Sequence, residues 1–136
     1  MTFSLTARRL RLLAALWTLG ILIAVTVPAS SVPDTPPDIG VDKIVHVVMF
    51  AGFGGLWMCV LGAGSDPEEA WPLWRCLLVV AGTGLVLAVG TEWMQHAFLP
   101  TRDGNIYDVI ANMVGLATGI GWGVWRVRGR AHAAAS

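Results

Sequence analysis

At 136 residues the chain holds one domain at most, and 55% hydrophobic against 13% charged residues, with a mean hydropathy of +0.65, exclude an ordinary soluble protein. The formal charge is zero, and no basic patch is large enough to suggest a nucleic-acid-binding surface. A helix that crosses a bilayer needs about 20 largely apolar residues. Stretches at residues 10–27, 44–64, 76–98 and 106–125 approach or meet that length. They predict an all-α, polytopic membrane four-helix bundle that fills residues 1–136 as a single domain, with function in the bundle and its loops.

The first stretch follows Arg8, Arg9 and Arg11, and Val27-Pro28-Ala29 loosely resembles a signal-cleavage site. The apolar run is long for a signal core and Pro28 sits beside the cut, so an uncleaved helix is expected. The next loop, from Pro28 to Val41, holds four prolines with Asp34 and Asp38, as an extended tether would. Asp42-Lys43 then leads into the second run, where His46 is the only ionisable residue. A short acidic loop with Asp66, Glu68 and Glu69 stays solvated. The third run is neutral until Glu92, which is followed by Gln95 and His96. Arg102 and Asp103 lie in a brief turn, and the fourth run opens with Asp108 and Asn112. Its Gly115, Gly119 and Gly123 are spaced by four and share a face, a pattern that permits close helix approach. Gly52, Gly55, Gly82 and Gly90 are expected to act likewise.

Basic residues set the orientation. Arg8, Arg9, Arg11, Arg75, Arg126, Arg128 and Arg130 share one side of the predicted bundle, and only Lys43 and Arg102 of the nine lie opposite. Positive charge marks the cytoplasmic side, so both termini are expected in the cytoplasm. Trp71 and Trp74 flank Arg75, and Trp122 and Trp125 precede Arg126, as in an aromatic belt. Cys59 and Cys76 fall near that same reducing side and are read as packing residues.

The polar residues within the runs gather at the other side. Ionisable groups at membrane depth cost about 2.5–3.5 kcal/mol each, so they need partners or a task. His46 lies at i+4 from Asp42 and i+3 from Lys43; Gln95 and His96 lie at i+3 and i+4 from Glu92; Asn112 lies at i+4 from Asp108. With 1.5 Å of rise per residue, Glu92 sits roughly 9 Å below the helix end near Phe98. His46, Asp108 and Asn112 lie at a similar or shallower depth, and Arg102 closes the ring from above. His96 belongs at the interface, outside the site.

These positions carry a resemblance. Asp42-Lys43-x-x-His46-x-x-x-Phe50, then Glu92-x-x-Gln95, then Arg102, Asp108 and Asn112, with Gly115 and Gly119 following, resemble the VanZ-like family. The match runs from about Asp42 to Gly119. The resemblance implies a multi-pass protein of the bacterial inner membrane, in a family named for an accessory of glycopeptide resistance linked to reduced teicoplanin susceptibility.

Two functions fit these residues. In the first, the outer site binds an anionic envelope lipid, a lipid-linked cell-wall precursor or a glycopeptide-type ligand through Asp42, Lys43, Gln95, Arg102 and Asn112. In the second, a membrane-embedded enzyme uses His46 or Glu92 as general base or acid, with Asp108 orienting the histidine. Whether the chain is an enzyme is left open. Membrane lipid is the expected surrounding partner, and no nucleic acid is expected. His46, Glu92 and Asp108 also form a mixed nitrogen and oxygen donor set of the kind zinc accepts. No H-E-x-x-H pair or cysteine cluster supports it and Lys43 opposes a cation, so neither metal nor cofactor is expected. A haem held by His46 and His96 is set aside because His96 need not face inward.

Overall fold

The computed structural model describes residues 2–26, 40–63, 70–98 and 106–135. Its elements are α1 (Thr2–Thr26), α2 (Val41–Ala63), α3 (Leu73–Phe98) and α4 (Ile106–Ala135). The chain is thus an all-helical membrane bundle. α1, α2 and α3 are each long and apolar enough to cross a bilayer, over Ala7–Thr26, Val41–Gly62 and Leu73–Phe98. α4 is diluted by Asp108, Asn112 and its arginine-bearing end, and it packs along α2 instead of standing alone.

Two helices run well past their apolar runs. α1 begins at Thr2 where hydropathy predicts residue 10, and α4 continues to Ala135 where hydropathy predicts residue 125. Arginine and alanine are strong helix formers, so the backbone continues after the membrane-like composition has ended. α2 starts at Gly40, whose carbonyl accepts from the amides of Lys43 (3.0 Å) and Ile44 (3.2 Å). Gly40 has φ of 56°, a left-handed conformation that glycine adopts without steric cost.

The core is a set of narrow seams with four-residue spacing. On α3, Cys76, Val80, Gly84, Ala88 and Glu92 are all buried, so the carboxylate continues an otherwise apolar row. On α1 the buried positions are Ala14, Ile21 and Val25. Trp17 Nε1 donates to the Met49 carbonyl (2.8 Å) and Trp57 Nε1 to Thr18 Oγ1 (3.0 Å), which fastens α1 to α2. The outward faces, including Leu12, Leu78, Val86 and Val114, remain exposed, as suits side chains solvated by lipid tails.

α2 and α4 share the most extensive interface. A Cβ on Gly115 would strike the backbone of Val47, one on Gly119 the backbone of Ala51, and one on Gly123 the side chain of Met58. The glycine face of α4 therefore lies directly on α2. Gly52 and Gly55 meet Trp17 and Trp122. Gly82 and Gly90 differ from expectation, because nothing lies within 4 Å of a Cβ at either. They line an open apolar groove of about 390 Å³ between α1 and α3, together with Leu22, Val86, Leu87 and Met94. These two glycines face outward, so they bring no helices together.

At one end of the bundle, Arg75 stacks over Trp71 at 4.5 Å and Arg126 over Trp122 at 5.7 Å. Cys59 and Cys76 are buried free thiols on the same half, and Cys76 Sγ lies 3.6 Å from the Trp71 carbonyl. The arginine-tryptophan pairs join the predicted belt residues directly.

Gly119→Ala should destabilise the bundle by about 1–3 kcal/mol, because the added methyl meets backbone that cannot turn aside. Gly121→Ala, with nothing within 4 Å, should leave stability unchanged or slightly raised. Thermal unfolding of both variants in detergent checks the pair, and equal melting temperatures would contradict the α2–α4 contact.

Candidate functional site

The opposite end holds the polar groups. Asp42 and Asp108 occupy the first turns of α2 and α4, where the positive ends of the helix dipoles favour carboxylates. Glu92 arrives near the C-terminal end of α3, on its buried seam. One side chain from each of three helices therefore reaches a common point. Ligand-type atoms of His46, Glu92 and Asp108 all lie within 4.8 Å of one another.

The close α2–α4 contact places His46 against Asn112. Their Nδ1 and Oδ1 atoms are 2.8 Å apart, and an amide oxygen only accepts, so His46 Nδ1 donates. The same nitrogen lies 3.9 Å from Glu92 Oε1. Asn112 is completely buried and Glu92 is 6% exposed. The histidine is therefore oriented by Asn112, whereas the sequence suggested Asp108 for that role. Asp108 instead faces Lys43, whose Nζ is 3.6 Å from Asp108 Oδ1 and 2.9 Å from Asp42 Oδ2. Lys43 is well exposed at the rim of the cluster, and Asp42 beside it is more so.

Gln95 has a different allegiance. It is buried, but its Nε2 donates to the Val25 carbonyl at 3.3 Å and so ties α3 to α1. Three residues on from Glu92, it is turned about 60° round the helix from the polar point that Glu92 faces. His96 is exposed, in keeping with its exclusion. Arg102, and Asp103 beside it, lie outside the described residues. Thr91 was not singled out from the sequence; it is buried next to Glu92 and its hydroxyl donates to the Ala88 carbonyl at 3.1 Å. A threonine in an apolar helix gives no sequence signal that separates this use from a polar site.

The chemistry on offer is mixed. An imidazole and two carboxylates can exchange protons or share a cation, and an exposed ammonium at the rim can meet an anion. Among the described residues, buried Asn112 Nδ2 has no hydrogen-bond partner and buried Asp108 Oδ1 has only the Lys43 ammonium at 3.6 Å. Leaving a buried donor such as Asn112 Nδ2 unsatisfied is costly. No protein-family model, curated protein or solved structure matches the chain.

The His46–Asn112 bond should be measurable as an interaction energy. A double-mutant cycle of His46→Ala and Asn112→Ala, read by unfolding in detergent, should give a coupling of about 0.6–1.7 kcal/mol. The same cycle with exposed His96 in place of His46 should give none, and equal couplings would rule out a specific contact.

Proposed function

We infer that the chain is a VanZ-like protein of the bacterial inner membrane whose polar end faces outward and binds an anionic envelope lipid, cell-wall precursor or glycopeptide-type ligand. The observation that carries this reading is the meeting of His46, Glu92 and Asp108 within 4.8 Å beneath an exposed Lys43. Joining helices inside a bilayer needs no more than small residues and a hydrogen bond. Three ionisable groups from three helices add insertion cost without improving that packing. Their position at the mouth of the bundle, with an ammonium at the rim, suits the capture of a charged group from outside.

The VanZ-like resemblance supports the same assignment, because the residues that carry it are those of the polar end. Lys43 and Arg102 would hold the anion, with Asn112 available through its amide. Seven of the chain's basic residues lie towards the other end, which supports an outward-facing site through the charge bias.

A membrane-embedded acid–base enzyme is the second reading, and one observation favours it. His46 is held in a fixed orientation by Asn112 and lies 3.9 Å from a buried carboxylate, an arrangement from which proton transfer to or from a bound substrate can proceed. The substrate would be a lipid-linked envelope compound approaching the same mouth.

Teicoplanin susceptibility of a Gram-positive host separates these readings when variants are compared at matched membrane abundance. The wild-type chain should lower susceptibility. Under the binding reading, Lys43→Ala or Arg102→Ala should restore the host's own susceptibility while Glu92→Gln stays mild. Loss of the effect in Glu92→Gln alone would favour the enzyme, and no effect from the wild type would detach the chain from the family's named phenotype.

A further inference from the structure

We propose that the polar end of the bundle holds one divalent transition-metal ion, zinc by preference, on His46, Glu92 and Asp108. The inference rests on the reading of this end as a binding site and names what first occupies it. Its geometric basis is the shared point to which α2, α3 and α4 each contribute one donor, all within 4.8 Å of one another. Around a zinc ion with bonds of about 2.0–2.2 Å, neighbouring ligand atoms stand about 3.4 Å apart. Movements of under about 1 Å per side chain close the present cluster to that size, within the reach of ordinary rotamer adjustment.

The donor set selects the class of ion. One imidazole with two carboxylates is too nitrogen-rich for magnesium or calcium and lacks the sulfur that copper(I) seeks. Three protein ligands leave a coordination position open, as in zinc sites that bind water or substrate. Charge points the same way. Lys43 is shared between Asp42 at 2.9 Å and Asp108 at 3.6 Å, so one ammonium serves two carboxylates. A divalent ion held by the carboxylates of Glu92 and Asp108 matches two negative charges where the surroundings solvate charge poorly. Lys43 does not block the ion, because its shorter contact is to exposed Asp42 and a small swing towards solvent releases Asp108.

A second observation is independent of the donor count. Asn112 is fully buried and its Oδ1 holds the His46 ring, yet its Nδ2 lacks an acceptor among the described residues. Asp108 Oδ1 is likewise buried, and among the described residues only the Lys43 ammonium at 3.6 Å approaches it. A metal at the cluster resolves both: Asp108 Oδ1 coordinates the ion, and an oxygen on its open position accepts from Asn112 Nδ2. With His46 Nδ1–H held by Asn112 Oδ1, the lone pair left for an ion is on Nε2, and Asn112 supports the site by fixing that tautomer, a role that groups behind metal ligands commonly fill. The ion also reconciles an anionic ligand with an acidic site, since the ligand meets the metal and the rim ammonium together with the carboxylates already engaged.

The test uses the full chain in lipid nanodiscs, stripped with a chelator and then titrated with zinc chloride. Metal content by mass spectrometry should approach one zinc per chain. His96→Ala, at an exposed residue outside the cluster, should keep that stoichiometry, while His46→Ala, Glu92→Gln and Asp108→Asn, each checked for retained helicity, should lose it. X-ray absorption of the zinc-loaded wild type should show an imidazole and oxygen donors without sulfur, which decides the matter even where a variant fails to fold. Well-folded wild type that stays empty, zinc retained by all three ligand variants, or a sulfur donor would each overturn the proposal. An empty site does so whatever the susceptibility assay gives. A loaded site without a susceptibility effect upholds the metal and removes only the link to the family's named phenotype.

Discussion

The backbone contact between α2 and α4 is the constraint on which the polar end depends. Gly115 and Gly119 let α4 rest on the carbonyls of Val47 and Ala51, closer than any side chain would allow. His46 precedes Val47, and Asn112 lies one turn before Gly115. The glycine contact therefore fixes the spacing at which an imidazole and an amide from different helices meet at 2.8 Å. A wider helix separation would leave both groups buried and unpaired, a state that costs more than the hydrogen bond gains. Packing of small residues and pairing of polar ones are thus one device here, with van der Waals contact in the apolar half supporting electrostatics at the mouth.

The third ligand-type group comes from a helix held more loosely. α3 touches both α2 and α4, but its interfaces with them are small beside the α2–α4 contact. Its seam of Cys76, Val80, Gly84 and Ala88 contains no carboxylate, imidazole or basic side chain, so Glu92 is carried to the cluster by helical periodicity alone. That apolar seam also explains why the polar end stops where it does. A transport path would need hydrogen-bonding groups continuing towards the arginine-rich end, whereas the buried side chains there are Met58, Cys59, Cys76 and Val80. Among the described residues, the cluster of imidazole and carboxylate groups is confined to one mouth of the bundle.

Much of this was legible in the sequence because membrane composition is a strong signal and the polar residues are few. Four helices follow from four apolar runs, and the i,i+4 relation of Asp108 with Asn112 follows from helical geometry. The glycine spacing on α4 announces a close contact but cannot name Val47 and Ala51 as its floor. Gly82 and Gly90 show the limit: glycine permits approach without requiring it, and helix rotation turns these two towards a groove. The same rotation sends Gln95 to α1 while Glu92, three residues away, faces α2 and α4. Orientation of His46 by Asn112 instead of Asp108 was hidden for a related reason. Both residues lie on one face of α4, one turn apart, and which turn meets the histidine is set by the axial register that Gly115 fixes against Val47.

That register gives the two acidic residues of the cluster unequal freedom. Glu92 is committed to the interior by the seam it terminates, and only a change in helix rotation could release it. Asp108 sits in the first turn of its helix, partly exposed, with Lys43 near it and Asp42 competing for the same ammonium. From the exposed rim inward the order is Lys43, then Asp108, with the His46–Asn112 pair and Glu92 behind. Such grading suits a site that must assemble a charged occupant at the edge of a medium that excludes charge. The outer groups can rearrange at little cost, while the inner ones are already ordered by the packing of α2 on α4.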